Sequence, residues 1–143
     1  MEFPENLLYT KEHEWLRHED DHVVVGITDY AQDALGDIVF VELPEEGDSV
    51  VKDDAFGIIE SIKAVSDIYA PISGHILEVN EALLDSPSKI NEDPYHTGWM
   101  VKIKMENESE LDDLLTMEEY EQFVNEEREL GLDKEEEEEE LDM

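Results

Sequence analysis

The chain has no cysteine among its 143 residues. Disulfides, zinc–thiolate centres and a cysteine nucleophile are thereby excluded, and any sulfur redox chemistry has to come from a cofactor. Cations are nearly as scarce: nine Lys and Arg stand against 42 Asp and Glu, a formal net charge of -33 with an isoelectric point near 4.1. Nucleic acid is disfavoured as a partner, because binding it needs cationic groups that neutralise phosphates. An anionic membrane surface is disfavoured on the same ground. No run approaches the roughly 20 apolar residues of a membrane helix, and the opening MEFPENLLYTKEHEW has neither a basic leader nor an arginine-rich transit character. The expected address is the cytoplasm. His13, His18, His22, His75 and His96 show no HExxH or comparable ligand spacing, so no metal is expected, and no phosphate-binding glycine loop is present.

What is present fits one domain. A chain of this length buries roughly two thirds of the surface that its unfolded form exposes, and a second core is not expected. Apolar residues make up 40% of the chain and run from Phe3 to Val124; six consecutive glutamates, Glu135 to Glu140, follow. That block has nothing to bury and its like charges repel, so the expectation is a folded unit over 1–128 and a disordered acidic tail over 129–143. The tail does not account for the acidity: residues 126–143 carry a net charge of -9, leaving -24 on residues 1–125.

Between Glu14 and Met105 hydrophobicity alternates with period two, as in DHVVVGIT (21–28), DIVFVEL (37–43), AFGIIESI (55–62), AVSDIYA (64–70), GHILEVN (74–80) and WMVKIKM (99–105). Turn chemistry separates these runs at PEEGDS (44–49), KDD (52–54), PISG (71–74) and SPSKINEDP (86–94). Closely spaced strands of this kind predict a small barrel or sandwich. Thr28 or Asp29 can cap a short helix, YAQDAL, that Gly36 ends. From Ser109 the pattern turns helical, and Thr116 with Glu119 forms a capping box for a last helix that carries Tyr120, Phe123 and Val124 on one side. Trp15 and Trp99 head strand-like runs and are expected as core or rim aromatics.

The stretch GIIESIKAVSDIYAPISG (57–74) sets Lys63 between two β-like runs. A lysine at a hairpin tip is held out in water on a stiff support, within reach of a modifying enzyme. Its flanks are acidic at Glu60 and Asp67; Lys102 and Lys104 alternate inside a strand, and Lys89 falls in a predicted loop. Position singles out Lys63, although an exposed turn lysine is by itself a common surface feature.

ESIKAVSDIYAPISG (60–74) closely resembles the lipoylation segment of glycine cleavage H proteins. HEWL (13–16), GITDYAQDALGDIVFVELPEEGDSV (26–50), INEDPYHTGWMVKIK (90–104) and LTMEEY (115–120) follow in the order and spacing of that family, and together they span about residues 3–125. Biotinyl domains set the modified lysine between methionines, whereas here it stands between Ile62 and Ala64. Lipoyl domains of 2-oxoacid dehydrogenases place Asp before the lysine and lack the helical additions. The resemblance implies a mainly β barrel-sandwich hybrid with a short helix near 29–35 and C-terminal helices over 110–128. It also implies lipoate on Lys63 as N6-lipoyllysine, with Glu60 as a determinant for the lipoate ligase or lipoyl transferase.

Such a protein is a non-catalytic carrier and, as expected here, a monomer. Its arm takes an aminomethyl group from glycine decarboxylase (P protein), gives it to aminomethyltransferase (T protein) and is reoxidised by dihydrolipoyl dehydrogenase (L protein). The family's docking positions for the loaded arm match Glu14 and Asp67. Glu12 stands where Ser is frequent and could add a third carboxylate; Ala34 stands where His is common. Two alternatives stay open: a relay that passes lipoate to other carriers, and a purely structural module with an unmodified lysine.

Self-repulsion on this scale weakens a compact state, and salt relieves it, the Debye length falling to about 3 Å at 1 M. The composition therefore points to adaptation to a salt-rich interior, with acidity that serves solubility alone as the alternative. Thermal unfolding followed from low to molar potassium chloride should show a midpoint that climbs with salt; a flat profile would refute the halophilic reading.

Overall fold

The computed structural model describes residues 1–141, with side chains over 1–129. In chain order the strands are β1 (Leu8–Tyr9), β2 (Glu14–Glu19), β3 (His22–Ile27), β4 (Ile38–Glu42), β5 (Ser49–Val50), β6 (Ala55–Ser61), β7 (Val65–Tyr69), β8 (Gly74–Val79) and β9 (Val101–Met105). The helices are α1 (Asp29–Leu35) between β3 and β4, the single turns α2 (Ala82–Asp85) and α3 (Lys89–Glu92) between β8 and β9, and α4 (Met117–Leu141). A 3-10 turn over Glu108–Asp113 precedes α4. A six-stranded antiparallel sheet, in the order β1-β2-β3-β9-β8-β5, faces a three-stranded one, β4-β6-β7. The mainly β class is as expected, and the sheets form a sandwich without closing into a barrel.

The core between the sheets joins Leu16, Val23, Val25, Ile76 and Ile103 of the large sheet to Ile38, Val41, Ile59 and Ile68 of the small one. A second cluster, with Tyr9, Trp15, Val24, Tyr120 and Val124, lies where α4 covers the other face of the large sheet. This explains why Val23, Val24 and Val25 are all buried although successive strand residues point to opposite faces. One face of β3 meets the small sheet and the other meets α4.

The helix boundaries obey the capping rules. The Thr28 hydroxyl accepts from the Ala31 amide at 3.2 Å, and Gly36, at φ +80°, ends α1 in the left-handed region where a side chain is costly. Glu119 accepts from the Thr116 amide at 3.0 Å while the Thr116 hydroxyl accepts from the Glu119 amide at 3.3 Å, the reciprocal box read from the sequence.

Three features differ from the sequence reading. Residues 86–94 were expected as loop, yet α3 forms there with Lys89 as its first residue, and α2 stands just before. Their single turns bury Leu83 and Ile90 as plugs in the core, a contribution too short to show as periodicity. The helical stretch expected from Ser109 winds into the tighter 3-10 turn over residues 108–113, and the last helix begins at Met117, directly behind the expected Thr116 cap. β1 and β5 were not anticipated, β5 beginning inside the expected turn at 44–49; two residues carry no detectable pattern. The disordered acidic tail expected over 129–143 lies, beyond residue 129, outside the residues whose side chains are described.

α3 also fixes the connection from α1 to β4. The Asn91 side-chain amide donates to Gly36 O and to Gln32 Oε1, both at 3.0 Å, and its Oδ1 accepts from the Ile38 amide at 2.9 Å. Asn91→Ala would strip the partners from a backbone donor and a backbone acceptor at once. We expect a loss of about 1–3 kcal/mol in urea unfolding, and a variant as stable as the parent would show that the clamp contributes nothing.

Candidate functional site

The β6–β7 hairpin turns at Ile62, Lys63 and Ala64, all exposed. Serine holds the turn shut: Ser61 Oγ accepts from the Lys63 amide at 3.2 Å and from the Ala64 amide at 3.1 Å, while the Ser61 amide donates to Ala64 O at 2.8 Å. A further bond from the Ile62 amide to Asp37 O, 3.0 Å, ties the turn to the residue before β4. The backbone of Lys63 is therefore fixed although its side chain is in water. Its stem lies across Gly36, where an added methyl group would sit 3.0 Å from Lys63 Cε. Among the described residues no carboxylate lies within ion-pair distance of the Lys63 ammonium.

Beside this turn runs a cleft of ≈ 290 Å³ between α1, β6, β7 and the segment that leads into β2. Its apolar wall comes from Ile27, Ala31, Leu35 and Ile59, and its polar groups include Glu12, His13, Glu14, Ser66, Asp67 and Glu127. Glu14 is the buried member, only 2% exposed. The Thr10 hydroxyl donates to its Oε1 at 2.6 Å and the Tyr69 amide to its Oε2 at 3.4 Å. These bonds favour the carboxylate but do not offset its desolvation, so burial pushes the Glu14 carboxyl up to about 7. Glu12 and Asp67 are exposed at the rim.

His13 joins the cleft to α4. Its Nε2 lies 2.9 Å from a Glu127 oxygen and its Nδ1 2.8 Å from the Tyr120 hydroxyl, which in turn lies 2.7 Å from the Thr28 hydroxyl. Burial lowers the His13 pKa, against the opposing pull of the Glu127 carboxylate. A neutral ring beside a carboxylate carries its proton on Nε2, so Nδ1 accepts from Tyr120, and Tyr120 accepts from Thr28. Burial first, and then the neighbouring Glu127 carboxylate, raise the Tyr30 pKa.

The expected residues thus fall into two places. Glu12, Glu14 and Asp67 meet in the cleft and Lys63 stands at the adjoining hairpin tip, while Glu60 lies outside the cleft, on the sheet row between Phe40 and Val65. His13 and Glu127 were missed. Glu127 had a legible signal, since residues 120, 123, 124 and 127 share one helical face; His13 had none in its spacing. Among the described residues no group of three or more acids and histidines could hold a metal, and no helix is long and apolar enough to cross a membrane.

Two antiparallel sheets packed around a protruding hairpin define a lipoyl-domain type of fold, and a solved structure shares it. The crystal structure of a glycine cleavage system H protein from Mycobacterium marinum superposes with a TM-score of 0.76 at 44% identity, covering 82% of this chain and 95% of that one. The profile described as "Glycine cleavage H-protein" matches residues 7–127. Glycine cleavage system H proteins of Geobacillus kaustophilus and Staphylococcus carnosus are 57% and 54% identical over 126 residues, 88% of this chain and 99% and 100% of theirs. The chain belongs to the glycine cleavage H-protein family.

The buried Glu14 ties stability to pH. Its folded pKa lies above the ordinary value of 4.5, so between these two values the native state holds a proton that the unfolded state has lost. Stability therefore falls as pH rises from about 4.5 to about 7 and levels off above, by an amount on the order of 3 kcal/mol at most. Glu14→Gln removes the titration, so its stability relative to the parent should improve over that interval. Denaturant unfolding at matched pH values checks this; a difference independent of pH would show that Glu14 titrates normally.

Proposed function

We propose that Lys63 bears a lipoyl group in amide linkage and that the protein is the non-catalytic carrier of the glycine cleavage system. In this reading it passes the aminomethyl group from glycine decarboxylase to aminomethyltransferase and reducing equivalents to dihydrolipoyl dehydrogenase, as a cytoplasmic monomer. One observation carries the reading: a lysine with no ion-pair partner among the described residues sits on a clamped hairpin, its stem laid over the end of the helix that walls a cleft rich in carboxylates.

The residues present fit that group. The Lys63 ammonium is open to acylation, and the amide so formed would be uncharged. An aliphatic arm ending in a cation matches a cleft with apolar walls and carboxylates at Glu12, Glu14 and Asp67. Bound lipoate would supply the dithiolane sulfur chemistry that a cysteine-free chain lacks. The polypeptide's own part is to present the arm, to exclude water from its load and to hold the charge. An approaching ammonium group favours the ionised form of Glu14, whose proton then leaves for solvent. Asp67 and Glu12 accept from the same cation at the rim, and Glu60 contributes to recognition by the lipoate ligase or lipoyl transferase.

Intact mass before and after incubation with a lipoate ligase, lipoate and ATP tests the attachment. The parent should gain one lipoyl group and Lys63→Arg none; a gain by the Arg variant would move the site elsewhere. On lipoylated protein, Asp67→Asn combined with Glu14→Gln should release the aminomethyl load faster than the parent, by about tenfold or more for the loss of two charge-assisted contacts.

A further inference from the structure

Large apolar side chains are exposed at eight of the described positions, and four of these surround Lys63. Ile62 and Val65 are each 68% exposed, Val39 55% and Phe40 49%. The sheet pairing brings them together: Phe40 stands opposite Glu60, Glu60 opposite Val65, and Ile62 is bonded through its amide to Asp37, the residue before the Val39 strand. A regular strand would turn only one of Val39 and Phe40 outward. The pairing of β4 with β6 shifts register between Ile38 and Phe40, and this bulge exposes both.

None of the four lines the cleft, so an arm docked against Glu14 and Asp67 would leave them in water. Exposing neighbouring large apolar groups on a chain of net charge -33 is a cost with no return in stability, which marks an interaction surface. The occupant follows from reach. Acylating Nζ requires the reacting carbonyl within about 3–3.5 Å of it, so the acylating enzyme must lie over the hairpin tip. Enzymes that act on the far end of the extended arm meet the sulfur many bonds from the turn and need not cover its root. Glu60 stands between Phe40 and Val65, Glu42 and Asp67 flank Ile58 in the next row of the same sheet face, and Asp37 is bonded to the turn; these acids call for a cationic rim on the partner.

We infer that Val39, Phe40, Ile62 and Val65 form the docking surface for the enzyme that acylates Lys63, a partner whose active-site mouth offers apolar contact ringed by Lys or Arg. This rests on Lys63 being the lipoylation site. The test uses the full chain in steady-state lipoylation with a lipoate ligase, comparing the parent with Phe40→Ser, Val65→Thr and their combination. Matching thermal unfolding of parent and variants should confirm that these exposed changes leave the fold intact.

The double variant should show KM for the protein substrate raised at least about tenfold with kcat nearly unchanged. Once driven to full lipoylation, it should support glycine decarboxylation within about twofold of the parent, since that step proceeds at the far end of the arm. Undiminished kcat/KM for lipoylation overturns the inference, and so does a defect confined to the decarboxylase assay, which would give the surface to that enzyme. A parent protein that takes up no lipoate would instead overturn the carrier reading and this inference with it.

Discussion

The proposed chemistry of this protein depends on a turn that is exposed but not loose. In water an unsupported three-residue link between strands samples many conformations, and ordering each residue costs about 1–2 kcal/mol. Here Ser61 satisfies two amides of the turn with a single hydroxyl, and Asp37 takes a third. The root of Lys63 is thereby fixed relative to the three-stranded sheet, while its flexible methylene stem supplies all of the motion. Gly36 completes the arrangement, because its missing side chain lets the lysine stem lie flat on the end of α1, and Asn91 holds that glycine in place. A loose hairpin would make the starting point of the proposed lipoyl arm as uncertain as its tip.

The cleft shows the complementary arrangement, in which an unfavourable charge is retained. A carboxylate as desolvated as Glu14 costs stability when ionised, and its bonds from Thr10 and Tyr69 do not cancel that cost. The net charge of the chain makes it worse. In the proposed function a cationic load would remove the penalty, so that free energy lost in the empty state would return as affinity for one kind of guest. The outward bulge of β4 follows the same logic at the other side of the hairpin, where apolar surface is left uncovered. Features that lower the stability of the isolated protein gather around Lys63.

How much of this the sequence carried depended on the range of each signal. The strands showed because alternation over five or six residues is a long pattern, and the caps of α1 and α4 showed because Thr28, Gly36, Thr116 and Glu119 act on neighbours within four residues. Lys63 was legible for the same reason, since its hairpin is local. The one-turn helices α2 and α3 were not, because Leu83 and Ile90 owe their burial to distant partners. The cleft was legible only in part: Glu12, Glu14 and Asp67 came from resemblance, whereas the link from His13 to Glu127 joins residues more than a hundred positions apart. No spacing rule reaches that far.

His13 itself shows why three successive residues can serve one site. In a strand Glu12, His13 and Glu14 would point alternately to opposite faces, and at most two could line a single cleft. All three line it here, and His13 is one of the described non-glycine residues in the left-handed region, at φ +69°. That conformation costs on the order of 1 kcal/mol or more, and it persists only where the surroundings over-determine it. The ring is held at both nitrogens, by Tyr120 and Glu127 of α4, and lies against Tyr30 with centroids 4.8 Å apart. α4 thus does more than cover the sheet. By gripping His13 it keeps the chain twisted where the twist brings two carboxylates to the same wall, and it does so with the part of the helix that ends at Glu127, the last residue that the family profile matches.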